Sequence, residues 1–501
     1  MEDYQKKLST FLSENGFIWG PEPEIYGGIA GFYTYGPLGK LLKNQVENNI
    51  RKVFQANNFW EVECPIIQPK AVWEASGHYS SFTDPLIKCT NCKADLRVDK
   101  LIEEQFQEIQ VGGMKKEDLL KLIKEKHIVC PLCNGNLEKE IKDHSLMMRT
   151  TIGTDIEAYN RPETATTSYL PFPRYTDFFR KKTPFGVFQI GKVFRNEISP
   201  RQSVTRGREF TQAEGQLFLF KHQKDNFEKF EIVKTEELPL WSEEMQKNGE
   251  LFSQTSLQDA IEKKYFKTKA YAWIVHLAHK LFLEMGIPPE LIRFRQHHHD
   301  EKAFYAQDAW DLEVKTESFG WMEMVGIHDR GDYDLKQHAE FSKKKLEIFD
   351  EETKEKLVPH VLEIAFGTDR PTYALLDIFY DPSNDERRVF RIPARLAPIQ
   401  VGIYPLVKKD KLPQIAKEIY EDLRKEFICV IEESSSIGKR YARNDEAGTA
   451  FGITVDFDSI TNEDVTLRER DSQKQIRIKI SDLGMTIRGL VDGSMDFNKI
   501  F

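Results

Sequence analysis

The stretch Arg195-Asn196-Glu197-Ile198-Ser199-Pro200-Arg201, followed by Arg206-Gly207-Arg208-Glu209-Phe210, gathers guanidinium groups, carboxylates and an aromatic ring in one short span. Arginine suits phosphate because its planar donors match two oxygens at once. In a strand, residues two apart share a face, so Arg195 can sit with Glu197, and Phe210 with Gln212 and Glu214. Such a hairpin can offer forks to phosphates, a ring to a base and carboxylates to an ammonium group. The competing reading is a solvated, charged hairpin. Arg370 follows a glycine-ended apolar run near a helix start, where anions are favoured. Taken alone it reads as a surface arginine beside a helix cap.

Glu163 in Arg161-Pro162-Glu163-Thr164 and Glu363 in the apolar run Val361–Gly367 raise a different question. A carboxylate in an apolar strand must face a polar cleft or pair with an arginine, because an unpaired buried charge is costly. Glu163, Glu214 and Glu363 with no matching cation would suit a small amine. Neither a P-loop nor a dinucleotide-binding glycine fingerprint occurs, so ATP would need another device.

Four of the six cysteines form Cys89-x-x-Cys92 and Cys130-x-x-Cys133. Two such pairs supply the four thiolates of a closed structural zinc site. Two idle reduced pairs and a redox couple are the alternatives. His297-His298-His299-Asp300-Glu301 resembles a metal cluster, but adjacent residues point in different directions, so no metal is assigned there.

These residues need elements to hold them. The pattern predicts a helix over 36–57, two strands over 186–195 and 209–220 joined by the arginine-rich loop, and a charged helical stretch over 221–290. It also predicts the strand 361–367, with Thr368 or Asp369 capping the helix that follows. Lys115–Lys126 reads as a charged helix between the cysteine pairs. Beyond Pro393 and Pro398, Leu412, Ile415, Ala416, Ile419 and Leu423 keep helical spacing, and Ile476, Ile478 and Ile480 keep strand spacing. Four regions follow: 1–85, an insertion at 86–150, a core at 151–395 with a helical insertion near 221–290, and a separate α/β domain at 396–501.

Composition narrows the class. The 501 residues are 40% apolar and 12% aromatic, ample for sizeable cores. No run reaches the roughly 18 apolar residues of a membrane helix, and the start lacks a secretory pattern. A cytoplasmic, membrane-free protein is the expectation. A net charge of −9 gives no support for coating nucleic acid by bulk charge, though a local basic face is compatible with it.

Taken in order, the motifs resemble those of class II aminoacyl-tRNA synthetases, in particular the dimeric glycyl type of archaea and eukaryotes. The resemblance runs from Tyr35-Gly36-Pro37-Leu38-Gly39 through Ser76-Gly77-His78, Phe82–Pro85, Arg161–Ala165, Phe194–Arg201 and Arg208–Glu214. It continues through Trp321–Ile327 and Phe366–Arg370 to Ile437–Tyr441 and Asn444–Thr449. It implies an α+β fold: an antiparallel sheet flanked by helices, a zinc-ribbon-like insert and a C-terminal α/β anticodon-binding domain. It implies a homodimer formed through Phe59–Pro65. The partners would be ATP with Mg²⁺, glycine and tRNA(Gly), with a structural Zn²⁺.

The resemblance gives Arg195, Glu197 and Arg370 the catalytic roles, Arg195 on the α-phosphate and Arg370 on the γ-phosphate. Asn196, Thr205, Arg206, Gly207, Arg208 and Glu209 would line the nucleotide, with Phe210 stacked on adenine. Glu323, Met324, Gly367, Thr368 and Asp369 would complete the ATP site. Glu163, Glu214 and Glu363 would hold glycine, bordered by Phe210, Thr211, Gln212, Ala213, Ile364, Ala365, Phe366 and Gly367, and Arg97 would touch the substrate. Threonine- or proline-specific relatives share the architecture, and a binding-only accessory subunit is the rival from another class. The chain departs from the family at Glu363-Ile364-Ala365 (usually Glu-Pro-Ser), at Ala165-Thr166 (Ala-Gln) and at Ala303-Phe304-Tyr305-Ala306 (Ala-His-Tyr-Ala), mostly on the glycine side.

Overall fold

The structure is a computed structural model that describes residues 2–500 apart from 107, 108, 110, 112, 113, 199, 201, 202, 300, 303–305 and 383–387. One family departure, Phe304 in Ala303-Phe304-Tyr305-Ala306, therefore lies outside the described residues with its neighbours Ala303 and Tyr305, as do Ser199, Arg201 and Asp300 of the quoted motifs.

A nine-stranded sheet carries the middle of the chain. Its order is Ser253–Ser256, Glu237–Trp241, Ile292–Gln296, Asp308–Thr316, Gly320–Gly331, His360–Gly367, Glu209–Leu219, Phe185–Phe194 and Phe59–Glu61. The long central neighbours are antiparallel. Parallel pairing occurs where Phe59–Glu61 joins Phe185–Phe194 and where Glu237–Trp241 joins Ile292–Gln296. The predicted hairpin is therefore present. It differs in one respect: Arg195 and Glu197 lie just past the end of the first strand, in the loop.

One face of the sheet is covered by helices. Pro37–Ala56 begins with proline at its first turn, where the missing N–H costs nothing. It buries Leu42, Val46, Ile50, Val53 and Phe54 along one stripe. Lys269–Glu284 is buried nearly all round, with Tyr271, Trp273, Ile274, Leu277, Leu281 and Phe282 in the core. Asp369–Phe379 completes this layer. The other face of the central strands stays open and polar.

The stretch 221–290 corrects one expectation. Besides its helices it holds the strands Glu237–Trp241 and Ser253–Ser256, which extend the large sheet. Leu238, Pro239 and Leu240 are all buried, an apolar run too short to stand out among the charges.

The cysteine-bearing region forms a small unit with its own core of Ile87, Val98, Leu101, Ile102, Leu119, Ile123, Ile128 and Ile141. Thr83–Lys88 pairs with Asp95–Arg97 on one side and Lys142–Ser145 on the other. The charged helix appears as Lys116–Glu125. At the C-terminal end, a five-stranded sheet runs Cys429–Ile431, Val401–Pro405, Phe451–Val455, Asp464–Glu469, Gln475–Lys479. The first three strands are parallel and the rest antiparallel. Leu412–Leu423 keeps its predicted helical face, whereas Ile480 has already left the strand for a short 3-10 turn.

Candidate active site

The open face of the central strands forms a cleft of about 520 Å³. Strand alternation decides who faces it. On Glu209–Leu219, Phe210, Gln212 and Glu214 point into the cleft, while Ala213 is buried on the helix side. Thr211 also turns away: its hydroxyl accepts from Lys43 Nζ at 2.9 Å and its N–H donates to Asp369 Oδ2 at 2.7 Å. On His360–Gly367, Glu363 and Ala365 face the cleft and Ile364 faces the core. On Gly320–Gly331, Gly326, His328 and Arg330 face it.

One end is cationic. Arg195 donates from Nε to Pro162 O at 3.1 Å, and its guanidinium lies 5.3 Å from the Phe210 ring centroid and 5.5 Å from that of Phe82. Arg370 donates to Thr205 O at 3.2 Å and to Glu323 O at 2.9 Å, with the Glu323 carboxylate 3.6 Å away. Glu197 Oε2 accepts from Arg206 Nη2 at 2.8 Å and lies 3.6 Å from Arg97 Nη1. Gly207, Met324, Phe366, Gly367 and Asp369 complete this part of the wall.

Four predicted nucleotide residues stand off the wall. Asn196 and Arg208 brace the loop: the Asn196 N–H donates to Leu146 O at 2.9 Å, and Arg208 donates to Glu197 O and Ala30 O, both at 2.8 Å. Glu209 is turned out to Lys192 at 3.1 Å. Thr368 is buried and makes no side-chain cap; it donates to Glu47 Oε1 at 3.3 Å. Asp369 does not cap the helix either. Its carboxylate is held by Lys43 at 2.5 Å, which fixes the first turn on which Arg370 stands.

The other end is acidic, and its three glutamates split two ways, one carboxyl pushed up and two held low. Burial pushes the Glu214 carboxyl well above the ordinary range, and Glu363 and Glu163 push it further; Thr164 Oγ1 donates to it at 2.5 Å. Burial would raise Glu163 too. His78 at 3.3 Å and then Arg330 outweigh it and hold that carboxyl well below its usual range. Glu363 is likewise held low against its burial, by Arg330 at 3.2 Å and His328 at 3.4 Å. Tyr169 OH donates to Glu363 Oε2 at 3.1 Å.

The sequence expectation of three carboxylates without a cation is therefore corrected: Arg330 and two histidines stand among them. Thr166, at one of the family departures, donates to Glu163 Oε1 at 2.7 Å. Of the expected glycine-site residues, Thr211, Ala213 and Ile364 face away, as strand alternation requires. Arg97 lines the cleft at the Glu197 end.

The four cysteine Sγ atoms all lie within 4.8 Å of one another, Cys89–Cys133 at 3.5 Å and Cys92–Cys130 at 3.7 Å. Sulfurs about 2.3 Å from a tetrahedral zinc lie about 3.8 Å apart, so the set fits that ion. These separations are far beyond the roughly 2.05 Å of a disulfide. Gly135 closes the knuckle: a Cβ there would come within 3.1 Å of Cys133 Sγ and 3.3 Å of Cys89 Sγ.

Comparison with known proteins fits this geometry. Residues 161–379 match the model of the tRNA synthetase class II core domain (G, H, P, S and T), and residues 400–490 match the anticodon binding domain. A glycine–tRNA ligase from Thermococcus kodakarensis is 39% identical, covering 98% of this chain and 99% of its own length. Those from Pyrococcus furiosus and Methanococcus maripaludis are 38% and 37% identical, covering 98% and 96% of this chain and 100% and 98% of theirs. The chain belongs to the glycine–tRNA ligase family.

His328 and Arg330 also line the cleft of this family member, and His78 and Thr164 contact its carboxylates Glu163 and Glu214, although none of the four stands out in the sequence as a site residue. Two signals were available. His78 lies in the motif Ser76-Gly77-His78, and Gly326, His328 and Arg330 are spaced by two along one strand.

Proposed function

We propose that this chain activates glycine with ATP and transfers it to tRNA(Gly); its relatives are named glycine–tRNA ligases. The observation that carries the reading is the polarity of the cleft: Arg195 and Arg370 at one end, Glu163, Glu214 and Glu363 at the other. A triphosphate fits the first and an ammonium group the second.

In the first step, a glycine carboxylate oxygen attacks the α-phosphorus, the bond to the bridging oxygen breaks, and pyrophosphate leaves. Arg195 stabilises charge on the α-phosphate, Arg370 anchors the γ-phosphate, and Phe210 offers its ring to adenine. Such preorganised donors act where charge develops and need no covalent nucleophile. In the second step a terminal tRNA hydroxyl attacks the activated carbonyl, and AMP leaves. Mg²⁺ would accompany the phosphates and neutralise charge; Glu323 is the half-exposed carboxylate beside Arg370. Glu163, Glu214 and Glu363 would hold the ammonium, and Arg97 would steady Glu197 at the nucleotide end.

The Cys89, Cys92, Cys130 and Cys133 set would hold a structural zinc, since all four positions are taken by sulfur. Homodimerisation through Phe59–Pro65 is supported by an edge strand that exposes Trp60, packed edge-on against the exposed Phe178 at 5.3 Å. No described helix is long and apolar enough to cross a membrane, and the proposed workplace is the cytoplasm. Pyrophosphate exchange with each amino acid tests the reading. Exchange with glycine supports it. Exchange only with threonine or proline, or none at all with tRNA binding intact, overturns it.

A further inference from the structure

His328 has no role in the reading above, yet it stands at the acidic end of the cleft. It shares a strand face with Gly326 and Arg330 and lies in register with Glu363 on the next strand. Gly326 is in register with Ala365, which in turn faces Glu214 across the sheet. These two positions carry small side chains at the acidic end of the wall and would leave an opening beside the carboxylates. The imidazole covers it: a Cβ added to Gly326 would come within 2.8 Å of His328 Cε1, so the ring lies directly over the glycine.

The ring is held from two sides. Its Nδ1 is 3.4 Å from Glu363 Oε1. Its outer face meets His297 edge-on at 6.1 Å, and His297 Nε2 is itself 2.8 Å from Asp311 Oδ2. Arg330, the other large group nearby, is held differently, by a fork on Asp334 at 2.7 and 2.8 Å. The histidine thus covers Gly326 at the acidic end of the wall, with Glu363 and His297 as its neighbours.

We infer that His328 is a specificity-determining residue, its imidazole filling the volume into which a side chain on the substrate's α carbon would project. The inference rests on the proposed glycine activation and deepens it. Exclusion arises because a held ring beside a sheet glycine cannot yield to a methyl group without breaking its contacts with Glu363 and His297. Gly326 is part of the device, since any side chain there would drive the ring out of place.

The test is pyrophosphate exchange with glycine, alanine and serine in the wild type, H328A and H328N. Wild-type exchange with glycine checks the underlying reading separately. The expected result is a rise of about tenfold or more in the alanine-to-glycine ratio of kcat/KM for H328A, the scale on which pockets discriminate one methylene. A smaller rise is expected for H328N, and KM for ATP should stay within about twofold in both. A purely structural role would depress all substrates together and leave the ratio unmoved. An unchanged ratio in both variants, or loss of exchange with every amino acid in both while the wild type exchanges glycine, would overturn the inference.

Discussion

Arg97, in the cysteine-bearing unit, reaches Glu197 of the arginine-rich loop, its Nη1 3.6 Å from Oε2. The same guanidinium lies 3.0 Å from Asp84 and is clamped by Asp99 at 2.5 Å. Glu197 passes the connection on to Arg206 at 2.8 Å. Arg97 ends the strand Asp95–Arg97, which pairs with Thr83–Lys88, and Cys89 and Cys92 lie in the turn between those strands. The cysteine knuckle and the arginine-rich loop are thereby linked through Arg97, beside the contact of His144 Nε2 with Asn196 O at 2.7 Å.

Metal loss should therefore reach the ATP site. Cys130→Ser, or chelation of the wild type, should lower zinc content and melt the small unit, because metal binding energy is folding energy in such ribbons. KM for ATP should rise with it. Arg97→Ala should raise that KM by up to about tenfold with zinc retained, the effect of a partly shielded ion pair. Metal analysis with steady-state kinetics checks both, and full metal content in Cys130→Ser would contradict the four-cysteine site.

Arg195→Ala should depress adenylate formation by about 10²–10³-fold, the usual cost of a lost transition-state donor. Single-turnover measurement of pyrophosphate release is the readout. Turnover equal to wild type would exclude the role given to this side chain.

Glycine binding should release a proton through Glu214. In the empty cleft burial and its two acidic neighbours keep this carboxyl protonated at pH values where an ordinary carboxylate is ionised. An arriving ammonium favours the ionised form. Affinity should thus fall as pH drops below the raised pKa and level off above it. Titration calorimetry in two buffers of different ionisation enthalpy measures the release. Equal heats in both buffers, or an unaltered release in Glu214→Gln, would count against it.

Lys43 and Asp369 form a buried pair that ties the helix Pro37–Ala56 to the turn bearing Arg370, with both side chains less than a tenth exposed. Lys43→Met strands a buried carboxylate and should cost about 3–5 kcal/mol of stability. Adding Asp369→Asn should recover part of that loss, since the two effects are coupled. Urea midpoints of the three variants decide the matter; additive losses would show that the pair is not coupled.

What the sequence determined by itself was local. Period-two spacing placed Phe210, Gln212 and Glu214 on one face, the two C-x-x-C pairs announced a four-sulfur cluster, and the arginine-rich segment fell between two paired strands. These are legible because they depend on covalent spacing alone. The same rule, applied residue by residue, would have turned Thr211, Ala213 and Ile364 away from the substrate. Tertiary structure decided everything that depends on approach between distant segments. It brought His78 to Glu163, Arg330 to Glu363 and Lys43 to Asp369, and it laid His328 over Gly326. It also gave three identical carboxyl side chains opposite ionisation behaviours, Glu214 raised and Glu163 and Glu363 held low. Burial and neighbouring charge set those, and neither exists until the sheet has closed around the cleft.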